Sequence, residues 1–199
     1  KESISRLGKT LVTMYRDEKK VFFFLLAFFF YIDGVYTIID MATAYGTSLG
    51  LNTTGLLLAL LLTQIVAFPA SLTFAVLSKT KNTASLIKIA IIAYFLIALF
   101  AVQLDKQWEF WVLAVAVGCF QGGIQALSRS YFAKIIPENA SGEYFGLFDI
   151  CGKGASFLGT MLIGVVTQIT GKQNLGVAAI SIMFVVGYLI FNKVSKIDD

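Results

Sequence analysis

Asp33 stands inside an apolar stretch, about 12 residues and so roughly 18 Å along a helix that would begin near Val21. A carboxylate so placed must be paired, protonated or turned to water, because hydrocarbon does not solvate its charge. Its use is proton or substrate coupling, or else a structural ion pair that fixes helix packing. Lys153 is the natural partner. It lies at middle depth in a later apolar stretch, and Asp149 precedes it by one helical turn in the favourable acid-before-base order. Lys153 can therefore pair within its own helix or across to Asp33, as a coupling switch or as a permanent pair with Asp149. Gln121 and Gln125, one turn apart, share a face with Gly118 and Gly122. Their amides can bond a polar solute or a neighbouring helix. Arg129 lies in the last turn of the same stretch, and Glu143 opens the next. The two are candidates for a cytoplasmic gate, with Asp149 a deeper partner for Arg129 and contact with lipid headgroups its other use.

Other chemistries are excluded by what the chain lacks. It has no histidine, which removes His-based metal sites and Ser-His catalysis, and no metal or cofactor is implied. Asp33 and Asp40 share one helix and cannot readily face each other as a dyad, so no catalytic residue is assigned and the reading is not an enzyme. Asp40 itself reads as a solvated interfacial residue. Cys119 and Cys151 both fall in apolar runs, where small packing residues are expected rather than a disulfide.

The elements that must hold these residues follow from hydropathy. Hydrophobic residues make up 57% of the 199, and only 14% are charged, against about 25% in a soluble domain. The apolar residues gather in runs long enough to cross a bilayer, for which roughly 20 residues suffice. Six spans are predicted: Val21–Tyr45, Thr54–Leu77, Ser85–Leu104, Trp108–Ala133, Glu143–Thr170 and Asn174–Phe191. The runs are continuous rather than alternating, which excludes a strand barrel. The fold class is therefore an all-α membrane protein. Residues 21–192 form the transmembrane domain, 1–20 a basic cytoplasmic connector, and 193–199 a cytoplasmic tail. The net charge of +4 reports topology rather than nucleic-acid binding. Lys1, Arg6, Lys9, Arg16, Lys19, Lys20, Lys79, Lys81, Lys134, Lys193 and Lys196 fall on the side of the termini, and only Lys106 and Lys172 on the other, which puts both termini in the cytoplasm. The third and sixth spans carry almost no polar side chain and are expected to face lipid. The other four are expected to line an interface or a cavity. Two polar-rich spans and one bland span, repeated, fit two three-helix repeats of the kind from which secondary transporters are built.

Three segments carry a family resemblance. Tyr31 through Ile38 (Tyr-Ile-Asp-Gly-Val-Tyr-Thr-Ile), Gln121 through Ala133 (Gln-Gly-Gly-Ile-Gln-Ala-Leu-Ser-Arg-Ser-Tyr-Phe-Ala), and Ile136-Pro137 followed by Glu143 through Ile150 and Gly152-Lys153 resemble the second half of Atg22-like transporters, whose bacterial members form the UMF1 family of the major facilitator superfamily. The resemblance implies a twelve-helix transporter of which this chain is helices seven to twelve. The N-terminal six-helix half would be its partner, and residues 1–20 the end of the central cytoplasmic loop. It implies transport of a small polar solute by alternating access, with amino acids the class associated with the eukaryotic relatives; proton coupling through Asp33, with Lys153, is the expectation from their depth in the spans, and a bacterial inner membrane is the expected location. One departure stands out. Where the superfamily's loop carries an acid and glycines, this chain reads Ala75-Val76-Leu77-Ser78-Lys79-Thr80-Lys81-Asn82, so a latch built on that acid is not available. The competing reading is a self-associating six-helix pore, which the absence of a filter-like loop disfavours.

Overall fold

The computed structural model describes residues 2–137 and 141–196; the predicted break at Pro137–Gly142 and the predicted tail at 193–199 thus fall partly outside the described residues. Among those described, the regular structure is entirely helical: α1 (Glu2–Asp17), α2 (Lys19–Ser48), α3 (Thr53–Thr80), α4 (Thr83–Val102), α5 (Gln107–Ile135), α6 (Ser141–Lys153), α7 (Phe157–Thr170) and α8 (Gln173–Ser195). Six units are long and apolar enough to span a bilayer: α2, α3, α4, α5, α6 with α7, and α8. This is an integral, multi-pass membrane protein.

Short polar signals set the helix starts. The Asn52 side chain accepts from Gly55 N–H at 3.0 Å and the Asn82 side chain from Ala84 N–H at 2.8 Å, each filling an amide that a helix start leaves open. Glu109 Oε2 accepts from the N–H groups of Asp105 and Lys106 ahead of α5. The connector also folds. Residues 2–17 form α1, with Met14 buried beneath it and Leu11, Val12 and Tyr15 exposed.

The fifth span is not the single helix that its hydropathy predicts. It breaks at Gly154–Ser156, where Ser156 takes a left-handed φ of 73°, and α7 starts afresh at Phe157. Small residues surround the break (Gly152, Gly154 and Ala155), but the left-handed backbone itself falls on Ser156.

Packing repeats with a two-fold pattern. α2 packs on α8 as α5 packs on α4; α3 packs on α5 as the fifth span packs on α2; and α4 on α8 is its own counterpart. Exchanging the first three spans with the last three reproduces these contacts, as expected of two three-helix repeats, but not all of them: α7 packs closely on α8, whereas the counterpart pair α3 and α4 scarcely touch. Aromatic side chains fill the shared centre: Phe28 stacks on Phe148 at 4.1 Å and Phe148 on Phe132 at 4.9 Å between ring centroids. The Tyr31 hydroxyl joins Ser128 Oγ at 2.6 Å, and Ser128 donates onward to the Ile124 carbonyl.

The bland spans are two-faced. α4 buries Ile87, Ile91 and Tyr94 while exposing Ile89, Ile92 and Leu96; α8 buries Ile180, Phe184 and Phe191 while exposing Ile182, Val185 and Leu189. Their outer stripes suit lipid and their inner stripes hold the core. The least buried spans are α3 and the fifth. On α3, Leu57, Leu61, Ile65, Phe68, Leu72 and Val76 form an exposed apolar face.

Candidate functional site

A cavity of about 420 Å³ lies among α2, α5 and α6. Its polar wall is Gln125 and Arg129 from α5 with Asp149 and Lys153 from α6, and its apolar wall includes Phe28, Ile32 and Tyr36 from α2. The helical period explains the grouping. Gln125 and Arg129 are one turn apart, as are Asp149 and Lys153, so each helix presents a pair on one face. Gly152 also lines the space, with nothing within 4 Å of a Cβ there, and Gly122 borders it while its own Cβ direction is turned to Ser71 of α3.

Arg129 Nη1 lies 3.4 Å from Asp149 Oδ1, and its guanidinium sits 5.2 Å from the centroid of the Phe145 ring. The ion-pair partner of Arg129 is thus Asp149, the deeper of the two acids considered, and not Glu143. Glu143 instead accepts from the Thr10 hydroxyl, which ties α6 to α1. Both members of the Arg129–Asp149 pair are about half exposed (60% and 48%), so the pair sits where water and a solute reach it.

Asp33 is not in the cavity. It is fully buried at the start of α7. Its Oδ1 accepts from Gly159 N–H at 2.7 Å and its Oδ2 from Leu158 N–H at 3.1 Å, and the Thr37 hydroxyl donates to Oδ1 at 3.3 Å. No ion pair joins Asp33 to Lys153, nor Lys153 to Asp149, among the described residues. The two charges meet helix ends instead of each other. Lys153 is the last residue of α6, where the carbonyl end of a helix favours a cation, and Asp33 meets the amide end of α7, which favours an anion. Each half of the broken span thus has a complementary charge at its open end. Gly159 belongs to this arrangement, because a Cβ there would collide with the Thr37 hydroxyl.

Gln125 lines the cavity but Gln121 does not. The Gln121 side-chain oxygen is buried and has no hydrogen-bond partner among the described residues. Tyr36 on the cavity wall and the Leu158–Gly159 amides that meet Asp33 are features of the candidate site that residue-type reasoning passes over. The signal for the amides was the Gly152-x-Gly154 pair, a mark of a broken helix as much as of close packing.

A six-span bundle with a polar cavity inside it and a charge-capped break in one span has the features of a solute carrier, and sequence similarity agrees. The family model described as "Vacuole effluxer Atg22 like" matches residues 1–196. The chain belongs to the Atg22-like family. It is 44% identical over 188 residues to the "Uncharacterized MFS-type transporter YxiO" of Bacillus subtilis (strain 168), covering 94% of this chain and 44% of that protein. It is 31% identical over 164 residues to "Autophagy-related protein 22" of Saccharomyces cerevisiae (strain ATCC 204508 / S288c), covering 76% of this chain and 31% of that protein. Against "Autophagy-related protein 22-1" of Aspergillus niger the identity is 26% over 182 residues, or 83% of this chain and 30% of that protein. The Atg22-like chain thus spans less than half the length of these curated relatives. Its kinship is with transporters of the major facilitator type.

Proposed function

We propose that this chain is the C-terminal six-helix half of a secondary transporter, one that moves a small polar solute by alternating access against a facing N-terminal half. Amino acids are the solute class that the family resemblance implies. The observation that carries the reading is the cavity of Gln125, Arg129, Asp149 and Lys153, four polar side chains gathered among spans whose other residues are mostly apolar. Polar groups at membrane depth are costly and mark solute or ion pathways. The exposed apolar face of α3 supports a facing half, since α3 packs on α5, itself a wall of the cavity. In this reading the membrane is a bacterial inner membrane, both termini are cytoplasmic, and α1 ends the loop between the halves.

Proton coupling at Asp33 belongs to the same proposal. Every contact to its carboxylate is a donated hydrogen bond. A proton on Asp33 would weaken its hold on the amide end of α7 and free that half-helix to move, which links protonation to the geometry of the fifth span.

The test is uptake of radiolabelled amino acids by the full-length protein in vesicles with an imposed pH gradient. Saturable uptake is expected, and Gln125→Ala is expected to lower it about tenfold, the effect of losing a hydrogen bond of roughly 1.5 kcal/mol. Uptake that ignores the loss of both Gln125 and Lys153 would remove the cavity from the pathway. Selective conductance from the six-helix chain alone would favour the pore reading.

A further inference from the structure

We propose, on the basis of the transporter reading above, that α6 is the moving wall of the cavity. It is a short helix that pivots at Gly154–Ser156 against an anchored α7, and α1 latches its free end through Thr10 and Glu143. The pivot is visible in the backbone. In a continuous helix the Leu158 and Gly159 amides would bond the carbonyls four residues back, at Gly154 and Ala155. Here both go to Asp33, at 3.1 and 2.7 Å. Ala155 N–H turns back to the Gly152 carbonyl at 3.3 Å, and α7 restarts with Thr160 N–H on the Ser156 carbonyl at 3.1 Å. Ser156 between them has a φ of 73°, a conformation that a residue with a Cβ adopts at some cost. A change of angle between α6 and α7 leaves both amides bonded to Asp33.

The two half-helices are held differently. While Asp33 holds those amides, α7 is tied to α2 by its own backbone. α8 closes on it too: a Cβ at Gly176 would lie 2.5 Å from Thr167 Oγ1 and 2.8 Å from the Ile163 carbonyl. α6 meets the bundle through side chains. Phe148 stacks on Phe28 and Phe132, and Phe145 meets Phe132 edge-on at 5.5 Å. Ring pairs keep their attraction over a range of tilts and separations, so they let a helix shift where packed backbone does not. Nothing lies within 4 Å of a Cβ at Gly142, Gly146 or Gly152, so no neighbour closes on that part of the α6 backbone. The far end of α6 is latched by α1. The Thr10 hydroxyl donates to Glu143 in the first turn of α6. α1 is itself seated by the fully buried Met14 and by Tyr15, edge-on to Phe22 at 5.3 Å. Along the helix Glu143 is roughly 20 Å from the pivot and Asp149 roughly 10 Å. An outward swing of about 15° moves them about 5 and 3 Å. That parts Glu143 from Thr10 and Asp149 from Arg129 in one motion.

The test uses the full-length protein with its native cysteines replaced by serine. Thr10→Cys and Glu143→Cys are joined by a short bis(methanethiosulfonate), which dithiothreitol removes. Joining them is expected to stop amino-acid uptake, and dithiothreitol to restore it. Uptake by the joined protein at the rate of the reduced one overturns the moving α6 and leaves the transporter reading intact. A parent protein that takes up nothing is the failure of that reading instead. A second measurement does not depend on transport. Spin labels at Gly146→Cys on α6 and at Gly164→Cys on α7 are each paired with one at Lys193→Cys on α8, in nanodiscs with and without a mixture of the common amino acids. The Gly146 pair is expected to show two distances, several ångströms apart, whose weights the mixture shifts, and the Gly164 pair one. A single unchanging distance for the Gly146 pair, or an equal spread in both pairs, overturns the pivot.

Discussion

Replacing Asp33 by alanine is expected to lower the melting temperature of the full-length protein in detergent by roughly 10 °C, while Asp33→Asn leaves it folded but uncouples it from the pH gradient. The alanine variant leaves the Leu158 and Gly159 amides without the acceptor they have at 3.1 and 2.7 Å. Each buried donor left unpaired costs about 1–3 kcal/mol, and about 1 kcal/mol moves the melting point of a domain of this size by roughly 2–4 °C. Asparagine has nearly the same shape and still offers one oxygen. Its amide nitrogen, however, faces one of the two backbone donors, so the cost is smaller but not zero. The discriminating readout is therefore transport and not stability. If Asp33 carries the coupling proton, Asp33→Asn keeps solute exchange and loses stimulation by the gradient. If Asp33 is only a cap, both variants lose stability in proportion and gradient-driven uptake by Asp33→Asn survives. The second outcome would leave α7 pinned, as the hydrogen bonds require, and remove the proton from the mechanism.

The sequence announces Asp33 and Lys153 as residues needing partners but misidentifies the partners, and the reason is physical. Depth and charge are local properties that a hydropathy profile carries. A helix end is a partner only once the helix is known to end there. The break at Gly154–Ser156 lies in a stretch whose mean hydropathy suits one continuous span, and the residue with left-handed backbone is a serine rather than a glycine. The acceptor for the new amide end comes from α2, more than a hundred residues away in the chain. Arg129 is a milder case: both acids considered for it lie on the next helix, and helical period alone does not choose between Glu143 and Asp149. In the structure Arg129 meets Asp149, while Glu143 accepts from Thr10 on α1, a helix that composition describes only as polar and basic. The spans, by contrast, were legible to within a few residues, because long apolar runs between polar breaks leave hydrocarbon as the only suitable solvent.

The second large effect is expected at Gly118, where leucine should prevent α3 from seating on α5. The Gly118 and Gly122 pair has a spacing common in apolar helices, so the spacing alone says little. The geometry is specific. A Cβ at Gly118 would lie 2.7 Å from the Thr63 backbone carbonyl and 3.0 Å from Val66 Cβ, and one at Gly122 would lie 2.8 Å from Ser71 Cβ. Thr63 fixes this approach from the other side. Its hydroxyl is shared between the Ala59 carbonyl of its own helix at 3.0 Å and the Ala114 carbonyl of α5 at 3.1 Å. Ala114 is one turn before Gly118, so the hydrogen bond and the close contact hold the same crossing. A side chain at Gly118 meets backbone rather than a side-chain tip, and backbone can yield only by moving the whole helix. Overpacking of this kind costs about 1–3 kcal/mol for small insertions. Gly118→Ala is therefore expected to lower the melting temperature by several degrees, on the scale of roughly 2–4 °C per kcal/mol, and Gly118→Leu to abolish the monodisperse peak in detergent chromatography. Gly146→Ala is the control, because nothing lies within 4 Å of a Cβ there, and it should melt like the parent. Should Gly118→Leu also melt like the parent, the α3–α5 crossing is looser than these contacts require. The exposed face of α3, and the facing half proposed to cover it, would then lose their fixed position beside the cavity.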